Sequence, residues 1–358
     1  MDEELERAAD SGDVEFLRKC KASNKPNEYY LSFNGMNIFH MAAENNREDF
    51  IREAISMLPP EDVHQLLIQP EEETRLFNPL HHACYIGNVE IVKMFLEVYT
   101  SLSDISERPW LLKDNQGSSP CHIAVYSFHE ECALEVLKMD MELIANMPSN
   151  RGCPLLYEAV VCKLGKLALE MLNSPHSFPC NGNDGYTPFH SIHFFDRSEE
   201  ATEIFRLLLQ KGSELLEQQN DNGFSIFHLW ASEGKLWPFK YLLESHVTIP
   251  NVKGIFAHLI SLTNIYGDNP LHNLAETTSN EEVAIEIAKL LIDIYKEEAS
   301  DLSEDLPPWL VEDNDGDTPL SLAIARQYEK FALYILSIDE NAVIETQKNV
   351  LFLAIEKG

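Results

Sequence analysis

The feature that most constrains this chain is a phrase it repeats. WLLKDNQGSSPCHIAV begins at Trp110 and WLVEDNDGDTPLSLAI at Trp309; in register they share Trp, Leu, Asp, Asn, Gly, Pro and Ala. The core of the phrase recurs as GMNIFHMAA at 35–43, NPLHHAC at 78–84, GSSPCHIAV at 117–125, GCPLLYEAV at 152–160, GYTPFH at 185–190, GFSIFHLWA at 223–231, GDNPLHNLA at 267–275 and GDTPLSLAI at 316–324. A chain written this way folds as supersecondary units that cannot bury their apolar faces alone and must stack on their neighbours.

The phrase itself dictates a local structure. In NDGYTPFHSI from Asn183, Asn-Asp-Gly is turn chemistry, with Gly185 free to take a positive φ. Thr187 is placed to cap a helix, and Pro188 takes the first helical position, where its missing N–H costs nothing. Phe189 begins the buried face. Small residues past the His position (Ala42, Ala83, Ala124, Ala159, Ala275, Ala323, Ala354) allow close helix packing; Trp230 stands in that slot and is read as core. A second helix follows, as in EEATEIFRLLLQKG from Glu199, with Ile204, Leu207 and Leu208 on one face and Gly212 as its stop. Each unit is turn, helix, turn, helix. The His slot recurs at 40, 81, 122, 157 (Tyr), 190, 228, 272, 321 (Ser) and 352 (Phe), at intervals of 31 to 49 residues. The shortest intervals bracket about 33 residues, and the longer ones imply insertions.

With this grammar and period the chain resembles ankyrin-repeat proteins over nearly its whole length. The resemblance implies an all-α solenoid of stacked helix-turn-helix units with hairpin-like connecting loops. It also implies protein recognition through the hairpin tips and the concave face of the first helices. PWLLKDNQGSSPCHIAV, CALEVLKMDMELIANMPSNRGCPLLYEAV and PPWLVEDNDGDTPLSLAI further resemble plant ankyrin–transmembrane proteins, a family tied to cell death and salt tolerance. Members typically end in several membrane helices. This chain stops at Gly358, one helix into a repeat, as a short paralogue or a piece of a longer protein would.

A single repeat domain over 1–358 is expected, with an N-terminal cap at 2–22. Repeats start near 34, 75, 114, 150, 183, 220, 264 and 313, and a partial one covers 347–358. Insertions are expected at 58–74, 97–110, 173–182, 246–262 and 295–310, with SPHSFPCNGN the most loop-like and a hinge near residue 178. Trp110 and Trp309 each end an insertion and are expected to anchor it by packing.

Composition narrows function by exclusion. Lys and Arg number 27 against 59 Asp and Glu, a formal charge of −32. Such a surface repels phosphate backbones and anionic headgroups, so nucleic acid is not an expected ligand and a basic protein segment is. Seven cysteines with no C-x-x-C pair argue against disulfide or zinc frameworks. The acidic N-terminus is not a signal peptide, and no apolar run reaches the roughly 18 residues of a membrane span. A cytoplasmic protein follows, associated with the plasma membrane only through a partner or a further C-terminal region.

Chemistry is expected to be absent. The phosphate-loop, dinucleotide and nucleophile-elbow motifs are missing. Six histidines, at 40, 81, 122, 190, 228 and 272, share one slot in successive repeats, one repeat apart and too far to share a metal; they are read as hydrogen-bonded structural groups. His190 and His193 stand three apart and could share a helical face, but SIHFF at 191–195 reads as a packed or partner-facing surface, and HEEC at 129–132 reads as a solvated turn. The acids of DNDGD at 313–317 alternate as calcium ligands do, but the expected Glu of the binding loop is Ala325. No cofactor, metal or catalytic residue is assigned. The candidate binding residues are large apolar or charged groups at positions the fold does not require: Tyr186, Phe224 and Tyr266 in three successive hairpins, Tyr85, Tyr126 and Phe194 in first helices, and Asp315 and Asp317 in the DNDGD tip. The expected partner carries basic segments or is a related ankyrin–transmembrane protein. The function is a non-enzymatic interaction scaffold in plant stress or immune signalling. The alternatives are a soluble adaptor for ubiquitination or phosphatase targeting, or the regulatory part of a longer protein.

Overall fold

The structure is a computed structural model that describes residues 3–22, 35–71, 75–101, 108–245, 255–299, 306–339 and 342. The partial repeat at 347–358 lies outside the described residues. Contacts cluster into two compact units, Met1–Cys180 and Asn181–Gly358. The division falls at the end of the loop-like stretch, where residues 174–182 form no helix.

Within each unit helices come in antiparallel pairs. In the first unit the first helices are Glu3–Ser11, Ile38–Glu44, Pro79–Ile86, Pro120–Tyr126 and Leu155–Val161. The second helices are Val14–Ala22, Glu48–Met57, Val89–Thr100, Glu130–Leu137 and Gly165–Asn173. First helices pack on first helices in chain order, and second on second. In the second unit the first helices are Pro188–Ser191, Ile226–Ser232, Pro270–Glu276 and Pro319–Ala325, and the second helices are Glu199–Gly212, Leu236–Ser245, Glu281–Glu298 and Glu329–Ile338. They form the same two rows. The fold is therefore the stacked helix-turn-helix architecture that the repeated phrase requires.

Most first helices open alike. Asn37, Asn78, Ser119, Thr187, Ser225, Asn269 and Thr318 each cap one in extended backbone, and the residue three places on closes a capping box. Each such cap is worth about 0.5–2 kcal/mol. Pro154 breaks the series: it carries no capping side chain, and the slot three places on is Tyr157. The core lies between the two rows. Phe39, Phe95, Phe189, Phe205, Phe227, Trp230, Phe239 and Phe331 are among its largest fully buried side chains. Trp230 is core as its slot implies, its indole N–H donating to the Phe189 carbonyl at 3.1 Å.

Several insertions are more ordered than the sequence suggests. Residues 58–74 hold a helix, Pro60–Ile68, and 246–262 contain another, Ile255–Ser261. Both carry a buried apolar face, Val63, Leu66 and Leu67 in one and Phe256, Leu259 and Ile260 in the other, a signal that the prolines and acids around PPEDVHQLL obscured. Second helices also run into the expected insertions, to Thr100 and Glu298. HEEC is not a turn: His129 precedes the second helix, Glu130 and Glu131 form its first turn, and Cys132 is buried. Gly212 ends its helix with negative φ, and the chain tightens into a 3-10 turn over Ser213–Glu217.

Trp110 and Trp309 are buried, as packing anchors should be. Trp110 lies against Tyr99 and Trp309 against Tyr295, with centroids 6.1 and 5.7 Å apart. Each is also held by the preceding repeat through an unforeseen contact. The cap Asn78 donates its amide N–H to the Pro109 carbonyl at 3.1 Å, and Asn269 donates to Pro308 at 2.7 Å. Asn37 does the same to Leu66 at 2.6 Å. In these three repeats the cap is an asparagine with a second job that serine and threonine cannot perform, whereas the 246–262 insertion follows a repeat capped by Ser225.

Candidate protein-binding face

The hairpin between repeats is built by one acceptor side chain. Asp114, Ser149, Asn220, Asn264 and Asp313 occupy the same slot, and each oxygen accepts two backbone N–H groups from its own loop, at distances between 2.7 and 3.2 Å. A glycine three places on closes the loop with positive φ. At Gly223 and Gly267 an added Cβ would also stand 2.9 and 2.8 Å from the backbone of the next hairpin, so these glycines serve close approach as well as turn geometry. Neighbouring hairpins are joined backbone to backbone: Asn115 N–H to Arg75, Asp221 to Asp184, Ile265 to Asn222 and Asn314 to Tyr266.

The slot histidines lock each hairpin to the next. In His40, His81, His190, His228 and His272, Nδ1 accepts the backbone N–H of the cap residue at 3.0–3.2 Å. Nε2 therefore carries the proton and donates to a carbonyl of the following hairpin: Phe77, Ser118, Phe224, Asp268 and Asp317, at 2.9–3.3 Å. His122 makes the cap contact with Ser119 at 3.4 Å. Burial pushes His40 and His81 from 6.5 down to about 3, and His122, His190 and His228 down to about 4. These are neutral structural groups, as the sequence implied. Among the described residues no cluster of three His, Cys, Asp or Glu forms a metal site.

On this frame the candidate residues fall into different settings. In the second unit Tyr266 is 58% exposed, beside Ile265 at 53%. Phe224 is half-buried, its ring 6.4 Å from Tyr266 and 5.8 Å from His228. Tyr186 is half-buried against His190. Phe194 is 40% exposed, while His193 beside it is buried, which divides SIHFF into a packed and an outward part. In the DNDGD tip Asp315 is exposed, Asp313 is spent on its own loop, and Asp317 accepts the Ser321 hydroxyl at 2.8 Å.

In the first unit Tyr85 is half exposed and lies under the Arg75 guanidinium, 5.6 Å from its centroid. Tyr126 is tied down. Its hydroxyl lies 2.6 Å from Glu158 and 3.0 Å from Asn150, and Arg151 covers its ring at 5.1 Å. Glu158 also accepts the Ser149 hydroxyl at 2.7 Å. Burial raises the Glu158 pKa against the pull of these two hydroxyls. This network stands in the repeat that lacks a capping box and a slot histidine. The pair Pro154 and Tyr157 was the available sequence signal that another side chain must hold that hairpin. Arg75, Arg151, Glu158 and Ile265 are the residues at this face that sequence reasoning missed.

Comparison with known proteins bears on these observations. Residues 5–97 and 58–147 match the family Ankyrin repeats (3 copies). Protein ACCELERATED CELL DEATH 6 of Arabidopsis thaliana is 26% identical over 167 residues, which is 45% of this chain. The match spans 24% of that relative's length. A crystal structure of the human ASB11 ankyrin repeat domain aligns with a TM-score of 0.45 at 20% identity, covering 63% of this chain and 90% of that one.

Proposed function

We propose, from the match to ankyrin repeats over residues 5–97 and 58–147, that the chain is a non-enzymatic protein-binding scaffold whose recognition surface is the hairpin and first-helix face. The reading rests on Tyr266 and Ile265. Both project from a hairpin whose geometry is fixed by Asn264 and Gly267, so the fold needs no large apolar side chain at either position. Exposed aromatics on rigid loops are the groups that anchor partners. Tyr186 and Phe224 extend this row, Phe194 adds to it from a first helix, and Asp315 and Asp317 add negative charge at its end. Tyr85 takes the corresponding role in the first unit, while Tyr126 is held by Glu158, Asn150 and Arg151. A partner for the second unit carries a basic segment with apolar side chains, or is a related ankyrin–transmembrane protein.

The similarity to the Arabidopsis protein, named for accelerated cell death, supports a setting in plant stress or defence signalling, and the reading places the chain at the cytosolic face of a membrane. Among the described residues no helix is long and apolar enough to cross a membrane, so attachment there falls to a partner or to sequence beyond the repeats. The test is capture from plant extract with the wild-type chain and a Tyr186→Ala, Phe224→Ala, Tyr266→Ala variant of unchanged helicity and melting. Partners lost with the variant support this face. Partners retained in full refute it.

A further inference from the structure

The charge of this chain makes its arginines informative. Of its ten arginines, Arg7, Arg18, Arg52, Arg108, Arg197 and Arg206 pair with carboxylates. In a protein with 59 acids that is the default. Arg75 and Arg151 depart from it. Both are exposed and, among the described residues, neither forms an ion pair. Both stand one residue before the left-handed position of a hairpin, Leu76 (φ 58°) in one case and Gly152 (φ 74°) in the other. Both lay the guanidinium over a first-helix tyrosine, Tyr85 or Tyr126. Arg75 also stands 5.1 Å from the Phe77 centroid, and a guanidinium held over a ring keeps its N–H groups for an anion.

The intervening hairpin joins the two. Asn115 N–H donates to the Arg75 carbonyl, and Asn150 donates its amide to Gln116 at 3.1 Å. The carboxylate nearest Arg151, Glu158, is occupied by Tyr126 and Ser149 and held inside. The arginines are thus mounted on rings, with Glu158 engaged by hydroxyls and Glu71 by the Arg75 backbone N–H rather than by either guanidinium. Two repeats separate them, about 20 Å at the usual spacing of packed helices, a distance that roughly six extended residues cover.

We propose that this row reads an extended acidic segment of a protein partner, Arg75 and Arg151 each gripping one Asp or Glu carboxylate about six residues apart. Planar, bidentate recognition is what a stacked guanidinium does better than a lysine. The surrounding negative charge disfavours acidic ligands at long range, but at about 0.15 M salt that field is screened beyond roughly 8 Å while the direct contacts are not. Selection therefore falls on carboxylates at the correct spacing. The proposal deepens the scaffold reading and concerns the first unit alone, so its failure leaves the capture experiment on Tyr186, Phe224 and Tyr266 untouched.

The test is a titration of the full chain followed on the arginine side-chain Nε–H resonances. The probe is a Gly/Ser peptide with two glutamates about six residues apart, compared with its glutamine and phosphoserine counterparts. The Arg75 and Arg151 signals should move together, with an affinity at least about tenfold above the glutamine peptide. Arg75→Ala with Arg151→Ala should abolish that preference at unchanged melting temperature, Lys at both positions should restore only part of it, and Arg326→Ala should leave it intact. Equal binding of the glutamate and glutamine peptides overturns the proposal, as does a preference that survives the double alanine variant. Binding of the phosphoserine peptide alone also overturns it, by assigning the row to phosphate.

Discussion

Acidification should unlatch the repeats well before it protonates most carboxylates. The slot histidines are neutral in the fold because Nδ1 faces a backbone N–H and cannot carry a proton. Their folded pKa values are depressed to about 3 or 4, against 6.5 in the unfolded chain. Below 6.5 the unfolded state binds protons that the folded state refuses, so stability falls as pH falls and is regained as pH rises through 6.5. Each such histidine costs about 1.4 kcal/mol per pH unit between 6.5 and its folded value. In the second unit His190, His193 and His228 share this depression. At pH 5.5 they remove about 4 kcal/mol, a large part of the 5–15 kcal/mol of an ordinary domain. Relief of the −32 charge acts in the opposite direction, so a net loss points to the histidines. The assay is urea unfolding by circular dichroism at pH 7.5, 6.5 and 5.5, above the isoelectric point of about 4.6. His228→Gln should be less stable at pH 7.5, and its pH dependence should be shallower by about 1.4 kcal/mol per unit. A wild-type stability that is flat from pH 7.5 to 5.5, or a slope unchanged in His228→Gln, refutes the reasoning.

Three further predictions follow from local geometry. Gly267→Ala adds a Cβ at φ 86° and 2.8 Å from the Asn314 backbone N, so it should lower stability by more than the ~1–2 kcal/mol of a left-handed residue alone, as read by urea melts. Asn269→Ser keeps the capping oxygen but strands the Pro308 carbonyl, and should cost about 1–3 kcal/mol, with faster hydrogen exchange around Trp309 than around Trp110. Phe128 holds φ 60° at 67% exposure in a turn where other repeats place Gly87 and Gly234. Phe128→Gly should therefore raise stability by about 0.5–1 kcal/mol, and a loss would mean that the ring packs on something of value.

What was legible in the sequence is what repetition and local chemistry encode. The cap, the proline behind it, the histidine and the turn glycine act within a few residues of one another, so their recurrence revealed the unit and the structural role of the histidines. The less legible features depend on the next repeat. A cap asparagine looks equivalent to serine until the insertion it grips is in place, as Asn78 and Asn269 show with Pro109 and Pro308. The short helix Pro60–Ile68 sits among prolines and acids whose punctuation outweighed three buried apolar residues. Tyr126 looked like a spare aromatic because Glu158, 32 residues away in sequence, is what occupies its hydroxyl. Asp313 looked like free charge, but its carboxylate builds its own loop.

The central claim is that recognition belongs to the hairpin and first-helix face while the second helices only support it. Hydrogen exchange of the chain with and without a captured partner tests this directly. Added protection should fall in the hairpins and first helices, at 220–232 and 264–276, with little change in the second helices 199–212 and 281–298. Protection confined to the second helices, with the hairpins unchanged, would contradict the account.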